Sequence, residues 1–462
     1  MRRKTLLTVA VISSLVLIAG TVDLNNLLNY EDQNTPSYVI EDNTPQDNEI
    51  SDEGATLGRI LFYDKKLSKD NTIACASCHL QEYAFGDTAL VSTGVNGVTA
   101  RHSMRLVNAR YSDEVRAFWD ERAVSFEDQA SQPIQDHVEM GYSGTSGDAD
   151  FEDLIVELEA TDIYPVLFEF VFEDSTITEE RIQKSIAQFV RSMESFDSKY
   201  DIGRAQVNND QMSFPNFTSE ENLGKQLFFT GPPMGGAGCM RCHDGPEFTL
   251  ITNTDNNGVI GVANDTSSID LTNTHSPSLR DLVNPNGEMN GPFMHDGSLD
   301  DLEAVVDHYN DLEEVAANTN LDFRLAGAMH ALDLNQTEKD ALVAFLHTLT
   351  GSDIYTNEKW SDPFDEQGDI ELIPLEGVGN QDLESAYAFK VFPNPATTRF
   401  KIELKEGFYQ LEIFDSNGAK AKSRIIKSQH TEDVSELPSG IYTIRVLNLS
   451  TQRVSSQTLI KD

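Results

Sequence analysis

Six residues carry the most specific chemistry in this 462-residue sequence. Cys75, Cys78 and His79 form one Cys-x-x-Cys-His motif, and Cys239, Cys242 and His243 form another. These are the only four cysteines, so a disulfide framework is excluded. A short turn between two thiols lets both reach the vinyl groups of one porphyrin. The adjacent imidazole then meets the iron from the same face. The motif is that of covalent c-type haem attachment, and it makes His79 and His243 the proximal ligands. A zinc site or redox dithiol competes for a single such motif. Two copies, no spare cysteine and an export-like N-terminus favour two covalently bound haem c groups. The residue opposite each histidine then decides the chemistry: two strong ligands give electron transfer, and an open position admits peroxide.

The elements that must position these motifs show in the periodicity. Leu57, Ile60 and Leu61 recur at helical spacing before the first motif. Residues 179–196 place Ile182, Ile186, Phe189 and Met193 on one face. Thr218 and Glu221 form a capping box before Leu223, Leu227 and Phe228. Residues 299–309 and 337–349 are further helices. At the N-terminus, Met1-Arg2-Arg3-Lys4 precedes an apolar run ending near Gly20, so residues 1–20 read as a signal peptide; an uncleaved anchor is the alternative. Residues 21–50 read as a flexible tether and 351–385 as a polar linker. Beyond 386, short alternating runs at 389–392, 400–404, 409–414 and 441–447 are separated by turns at Asn394-Pro395, Ser416-Asn417-Gly418 and Pro438-Ser439-Gly440. This predicts a small all-β sandwich over 386–462.

The charge divides at the same place. The chain carries 76 acidic and 34 basic residues, net −42. Residues 386–462 hold 11 Lys/Arg against 8 Asp/Glu, leaving −45 on the rest. Such acidity argues against nucleic acid as a partner. It suits long-range steering of a basic protein, or solubility in a saline habitat.

Ordered segments resemble bacterial dihaem cytochrome c peroxidases. They are Leu57-Gly58-Arg59-Ile60-Leu61-Phe62-Tyr63-Asp64, the first haem motif, Phe118-Trp119-Asp120-Glu121-Arg122-Ala123, Glu127-Asp128-Gln129-Ala130, Pro133-Ile134, Val138-Glu139-Met140, Pro292-Phe293-Met294-His295-Asp296-Gly297 and Leu302-Glu303. The family includes the MauG branch, which oxidises protein side chains. The resemblance implies a mainly α chain with an N-terminal peroxidatic haem domain at 51–205 and an electron-transfer haem domain at 206–350. It places Gln129, Pro133 and Glu139 in the distal pocket of the first haem, with Trp119 between the haems. A carboxylate such as Glu139 can move peroxide protons, and Gln129 can hydrogen-bond peroxide without titrating. The alternative for both is a polar side chain facing solvent on an acidic protein.

Where some family members supply a distal histidine, none occurs between His79 and His102. The first haem is therefore expected to be open and five-coordinate, with His102 as the alternative ligand. The family's usual Met opposite the second haem falls at Tyr309, as in the MauG branch; His308 and Met294 are the alternatives, and His295 is expected beside the haem. Inter-domain calcium would use Asn290 and Pro292, but His102 replaces the family's Asn, and imidazole suits calcium poorly.

Residues 388–462, opening with Val391-Phe392-Pro393-Asn394-Pro395-Ala396-Thr397, resemble a type IX secretion sorting domain. This implies engagement of the type IX machinery, with passage through the periplasm to the cell surface or medium. An adhesion-type β domain is the structural alternative. Together the readings predict an exported peroxidase using hydrogen peroxide and a cytochrome c or other external donor. A MauG-like oxidase and a non-enzymatic dihaem carrier are the alternatives, and a homodimer is one assembly left open.

Overall fold

The computed structural model describes residues 20–251, 254–327, 332–375, 389–415, 420–448 and 454–462. The expected signal segment (but for Gly20), the turn at 416–418 and linker residues 376–385 lie outside them. The chain divides into two compact units, one chiefly Asn26–Leu372 and the other chiefly Ile373–Asp462.

Among the described residues the first unit has nine α-helices: α1 Asp52–Tyr63, α2 Phe126–Ser131, α3 Phe151–Glu159, α4 Tyr164–Phe172, α5 Glu179–Arg191, α6 Lys199–Arg204, α7 Ser219–Phe229, α8 Leu302–Asn310 and α9 Gln336–His347. Their starts follow from local chemistry. Ser51 Oγ accepts from Gly54 N at α1. The expected capping box opens α7, with Thr218 Oγ1 and Glu221 Oε2 each accepting a backbone N–H.

The two helices that lead into the haem motifs share one device. A Cβ on Gly58 of α1 would stand 1.9 Å from Ser185 O of α5, and one on Gly224 of α7 would stand 1.8 Å from Ala341 O of α9. Only glycine permits either crossing. Ile60, Leu61 and Phe62 of α1 are buried, as are Leu227 and Phe228 of α7. The latter join a core with Tyr200, Phe214, Phe248 and Phe345.

Helix accounts for only 28% of the structure. At that share the chain is not mainly α as expected, although α7 and α9 supply much of one core. The flexible tether expected at 21–50 is corrected over residues 26–50. Tyr30 is fully buried and donates to Lys359 O, while Tyr38 bonds Asp201 and Gln33 bonds Ser192 O. The linker expected at 351–385 is corrected likewise over 351–372. Ile354 and Trp360 are buried, and Trp360 Nε1 donates to Ser192 O at 3.0 Å. Polar composition hid a few apolar anchors that pin both segments.

The second unit is one antiparallel sheet of β1 Lys390–Phe392, β2 Arg399–Phe414, β3 Lys420–Asp433, β4 Gly440–Asn448 and β5 Val454–Lys461. The order is β5-β4-β2-β1, with β3 also on β2. A register shift between Glu403 and Phe408 interrupts β2, and a bridge from Ala396 to Lys461 nearly closes the sheet. Phe400, Ile402, Leu411, Ile413, Ile444, Val446 and Leu459 fill its interior. The all-β expectation holds, but as one curled, continuous sheet and not a two-sheet sandwich.

Candidate functional site

Two clefts of about 1570 and 1550 Å³, counted out to solvent, lie in the first unit. The first is lined by Cys75, Cys78 and His79 together with Gln129, Pro133 and Glu139. The second is lined by Cys239, Cys242 and His243 together with Met294 and Tyr309. Each has ample room for a porphyrin. His102, Met104, Arg105, Trp119 and His275 line both, so this segment forms a common wall.

The donor chemistry fits covalent haem. Burial pushes the Cys75 and Cys239 thiols up to about 12 and the Cys78 and Cys242 thiols up to about 11. Such thiols are poor thiolates, unlike those of redox or metal-thiolate sites. His79 Nδ1 meets Phe85 O at 3.0 Å, which fixes the tautomer and leaves Nε2 for iron. Burial lowers the pKa of His79, and burial with neighbouring His275 brings His243 to about 4. Both rings are therefore neutral, as ligation requires.

The wall of the first cavity that carries Gln129, Pro133 and Glu139 is built from α2 and the loop after it. Ser125 caps α2 by accepting from Asp128 N. Glu127 bonds Arg191 of α5 at 3.0 Å. Against the upward push of burial, that guanidinium holds Glu127 down to about 2. Gln129 projects from the helix so anchored. Glu139 is held by its backbone: its N–H donates to Asp136 Oδ1 and its carbonyl accepts from Val95 N. Gly94 allows this contact, since a Cβ there would stand 2.1 Å from Val138 O. Burial, then the Asp136 charge, raises Glu139 to about 7, with Arg122 opposing.

Trp119 is buried in the common wall. Its Nε1 donates to His102 O at 2.7 Å, and its carbonyl accepts from Thr274 N and His275 N. Its ring meets that of His295 edge-on at 6.3 Å. Both neighbours of this contact, Phe118 and Met294, hold left-handed backbone at φ 71° and 72°, strain of the sort that collects at functional sites. Arg101, which sequence reasoning passed over, clasps the region. Its guanidinium bonds Asp120 at 2.7 Å, Asp270 at 2.8 Å and Thr272 at 2.8 Å.

The other candidates separate. His102 Nδ1 is occupied by Ala89 O at 2.9 Å. His295 uses both ring nitrogens, on Asn273 and Gly261 O, and so stands beside the cofactor space. His308 is absent from the cavity lining, with Nε2 on Asn257 O. Asn257 also donates to Met294 Sδ at 3.3 Å and bonds Tyr309. Burial, then the Cys242 thiol, raises the Tyr309 phenol well above its ordinary value.

The residues suggested for calcium offer a single unpartnered side-chain oxygen, Oδ1 of Asn290. Asn290 turns its amide nitrogen to Asp281 O and Tyr355. His102 offers nitrogen, and cationic Arg101 is its chain neighbour. Calcium takes six to eight oxygens, and no step below uses it.

Residues 52–209 match the family model of di-haem cytochrome c peroxidase. The methylamine utilization protein MauG of Methylorubrum extorquens is 31% identical over 66% of this chain and 80% of its own length. The chain belongs to the di-haem cytochrome c peroxidase and MauG family. MauG of Methylophilus methylotrophus is 29% identical over 74% of this chain and 94% of its own. Cytochrome c551 peroxidase of Nitrosomonas europaea is 26% identical over 69% and 85%. A solved MauG-like protein associated with microbial copper homeostasis superposes with a TM-score of 0.59, at 28% identity, over 72% of this chain and 99% of that one. As a member of this dihaem family, the protein is an oxidoreductase with haem cofactors. Residues 390–461 match the secretion system C-terminal sorting domain, which indicates export.

Proposed function

We propose that this family member is an exported dihaem c-type peroxidase that reduces hydrogen peroxide to water with electrons from a cytochrome c or another external donor. The first cavity carries the reading: a carboxyl poised at about 7 shares it with an amide and a proximal imidazole. When bound, haem supplies the iron that takes up peroxide at the first site and the electron store at the second. Glu139 takes a proton from the near oxygen of peroxide and returns it to the departing oxygen. Gln129 donates a hydrogen bond that orients the substrate, and Pro133 shapes the wall. The reading keeps the distal position open, with His102, which turns Nδ1 to Ala89 O, as the alternative ligand through Nε2. Trp119 carries electrons across the common wall. The division into haem domains at 51–205 and 206–350 belongs to the same proposal, as does final delivery to the cell surface or medium.

A second reading, a MauG-like oxidase of a protein or organic substrate, is favoured by Tyr309 lining the second cavity. A steady-state peroxide assay with several reductants, run alongside a spin-state spectrum, separates the two. Peroxide-dependent turnover of reduced cytochrome c supports the peroxidase. Peroxide-dependent oxidation of a protein or organic reductant without cytochrome turnover supports the oxidase. Two low-spin six-coordinate haems with no peroxide consumption would leave an electron carrier and overturn both.

A further inference from the structure

Arg105 lies in the wall common to both cavities, and its position there is electrostatically incomplete. The residue is buried at 8% exposure. Its Nη2 donates to Ser278 O at 3.1 Å, while Nε is buried with no partner. Tyr355 and Asp281 act on it through space only. Asp281 accepts at Oδ1 from Gly351 N and Tyr355, and its Oδ2 has no partner.

Three other buried arginines pair with a carboxylate, while Arg59 bonds the backbone and hydroxyl oxygens of Ser361. Arg280 makes a two-pronged bond to Asp201 at 2.9 Å on each arm. Arg191 pairs with Glu127 and Arg324 with Asp322. A buried charge without a partner is strongly disfavoured. Burial pulls Arg105 down only to about 10, so it stays charged at neutral pH. The site therefore calls for an anion presented from a cavity. The family's cofactor brings carboxylates of its own, the two propionates of each haem, and a guanidinium matches a carboxylate with paired N–H groups.

We propose that Arg105 binds haem propionate carboxylates, and that this one guanidinium serves the cofactors of both cavities. The assignment rests on haem occupying both sites and not on which reaction follows. A positive charge beside each porphyrin favours the added electron, so Arg105 raises both reduction potentials and couples them through one group.

The test uses the haem-loaded full chain. Arg105→Met is expected to shift the ferric/ferrous equilibrium of both haems toward ferric by about tenfold, or 59 mV for a one-electron couple, in a spectroelectrochemical titration. The propionate-bending bands of both haems should move in resonance Raman spectra. Unchanged potentials and bands would overturn the assignment. A shift confined to one haem would overturn the shared role. Should the Met variant fail to accumulate, Arg105→Lys decides: it keeps the charge but loses the fork, so the ferric/ferrous equilibria hold within about threefold while the bands move, and unmoved bands overturn the proposal. Neither readout involves peroxide, so failure here is distinct from failure of the peroxidase reading.

Discussion

Replacing Glu139 with Gln removes the titrating proton carrier while keeping its size. With its carboxyl at about 7, only about a tenth of Glu139 is ionised at pH 6 and about nine-tenths at pH 8. As the base that first accepts a peroxide proton, it should make kcat/KM for peroxide climb about tenfold across that interval and then level. Glu139→Gln should lower the rate by about 10²- to 10⁴-fold, the usual worth of a placed acid–base group, and flatten the profile. Stability should move the other way. A carboxyl raised from 4.5 to about 7 favours the fold fully below its unfolded value, and that contribution is lost as pH rises through 7. The Gln variant escapes the loss and should gain up to about 3 kcal/mol above pH 8. The assays are stopped-flow peroxide kinetics from pH 5 to 9 and denaturant melts at pH 5.5 and 8.5. A variant within about threefold of the parent rate, with the same pH profile, would refute the role given to Glu139.

Tyr309→Phe should change the absorption spectrum of one haem and leave the other unaltered; an unchanged spectrum removes Tyr309 as a ligand. Trp119→Phe, which loses the bond to His102 O, should slow electron equilibration between haems by at least about tenfold in flash-reduction kinetics, with both proximal ligand signatures retained. Deleting residues 390–461 should leave the protein cell-associated in a fractionation assay; normal release would contradict a sorting role.

The covalent haem motifs and several helix starts were legible because each rests on short-range spacing. Gln129 and Glu139 became visible through resemblance alone, and the fold brings them to one cavity with His79. Arg101, Arg105 and His275 carried no signal. Their significance lies in what surrounds them, and a buried unpaired guanidinium looks like any arginine in a one-dimensional string. The tether and linker misled for a related reason: Tyr30 and Trp360 are single anchors in polar stretches, too sparse to produce a period. Strand β3 was missed because its residues are mostly exposed, with Ile426 the clearest inward apolar position. No alternation of apolar residues marks a strand held mainly by its backbone ladder.

The paired glycine crossings bear on how such a protein could arise. Leu57-Gly58-Arg59 and Leu223-Gly224-Lys225 lie in the middle of two helices, each ending shortly before a haem motif. A single-cofactor ancestor, copied head to tail, would leave such twin hinges, because neither copy can alter its glycine without forcing two backbones apart. One copy came to hold a carboxyl and an amide, the other a phenol and a thioether, so specialisation proceeded by redecorating two rooms of the same floor plan.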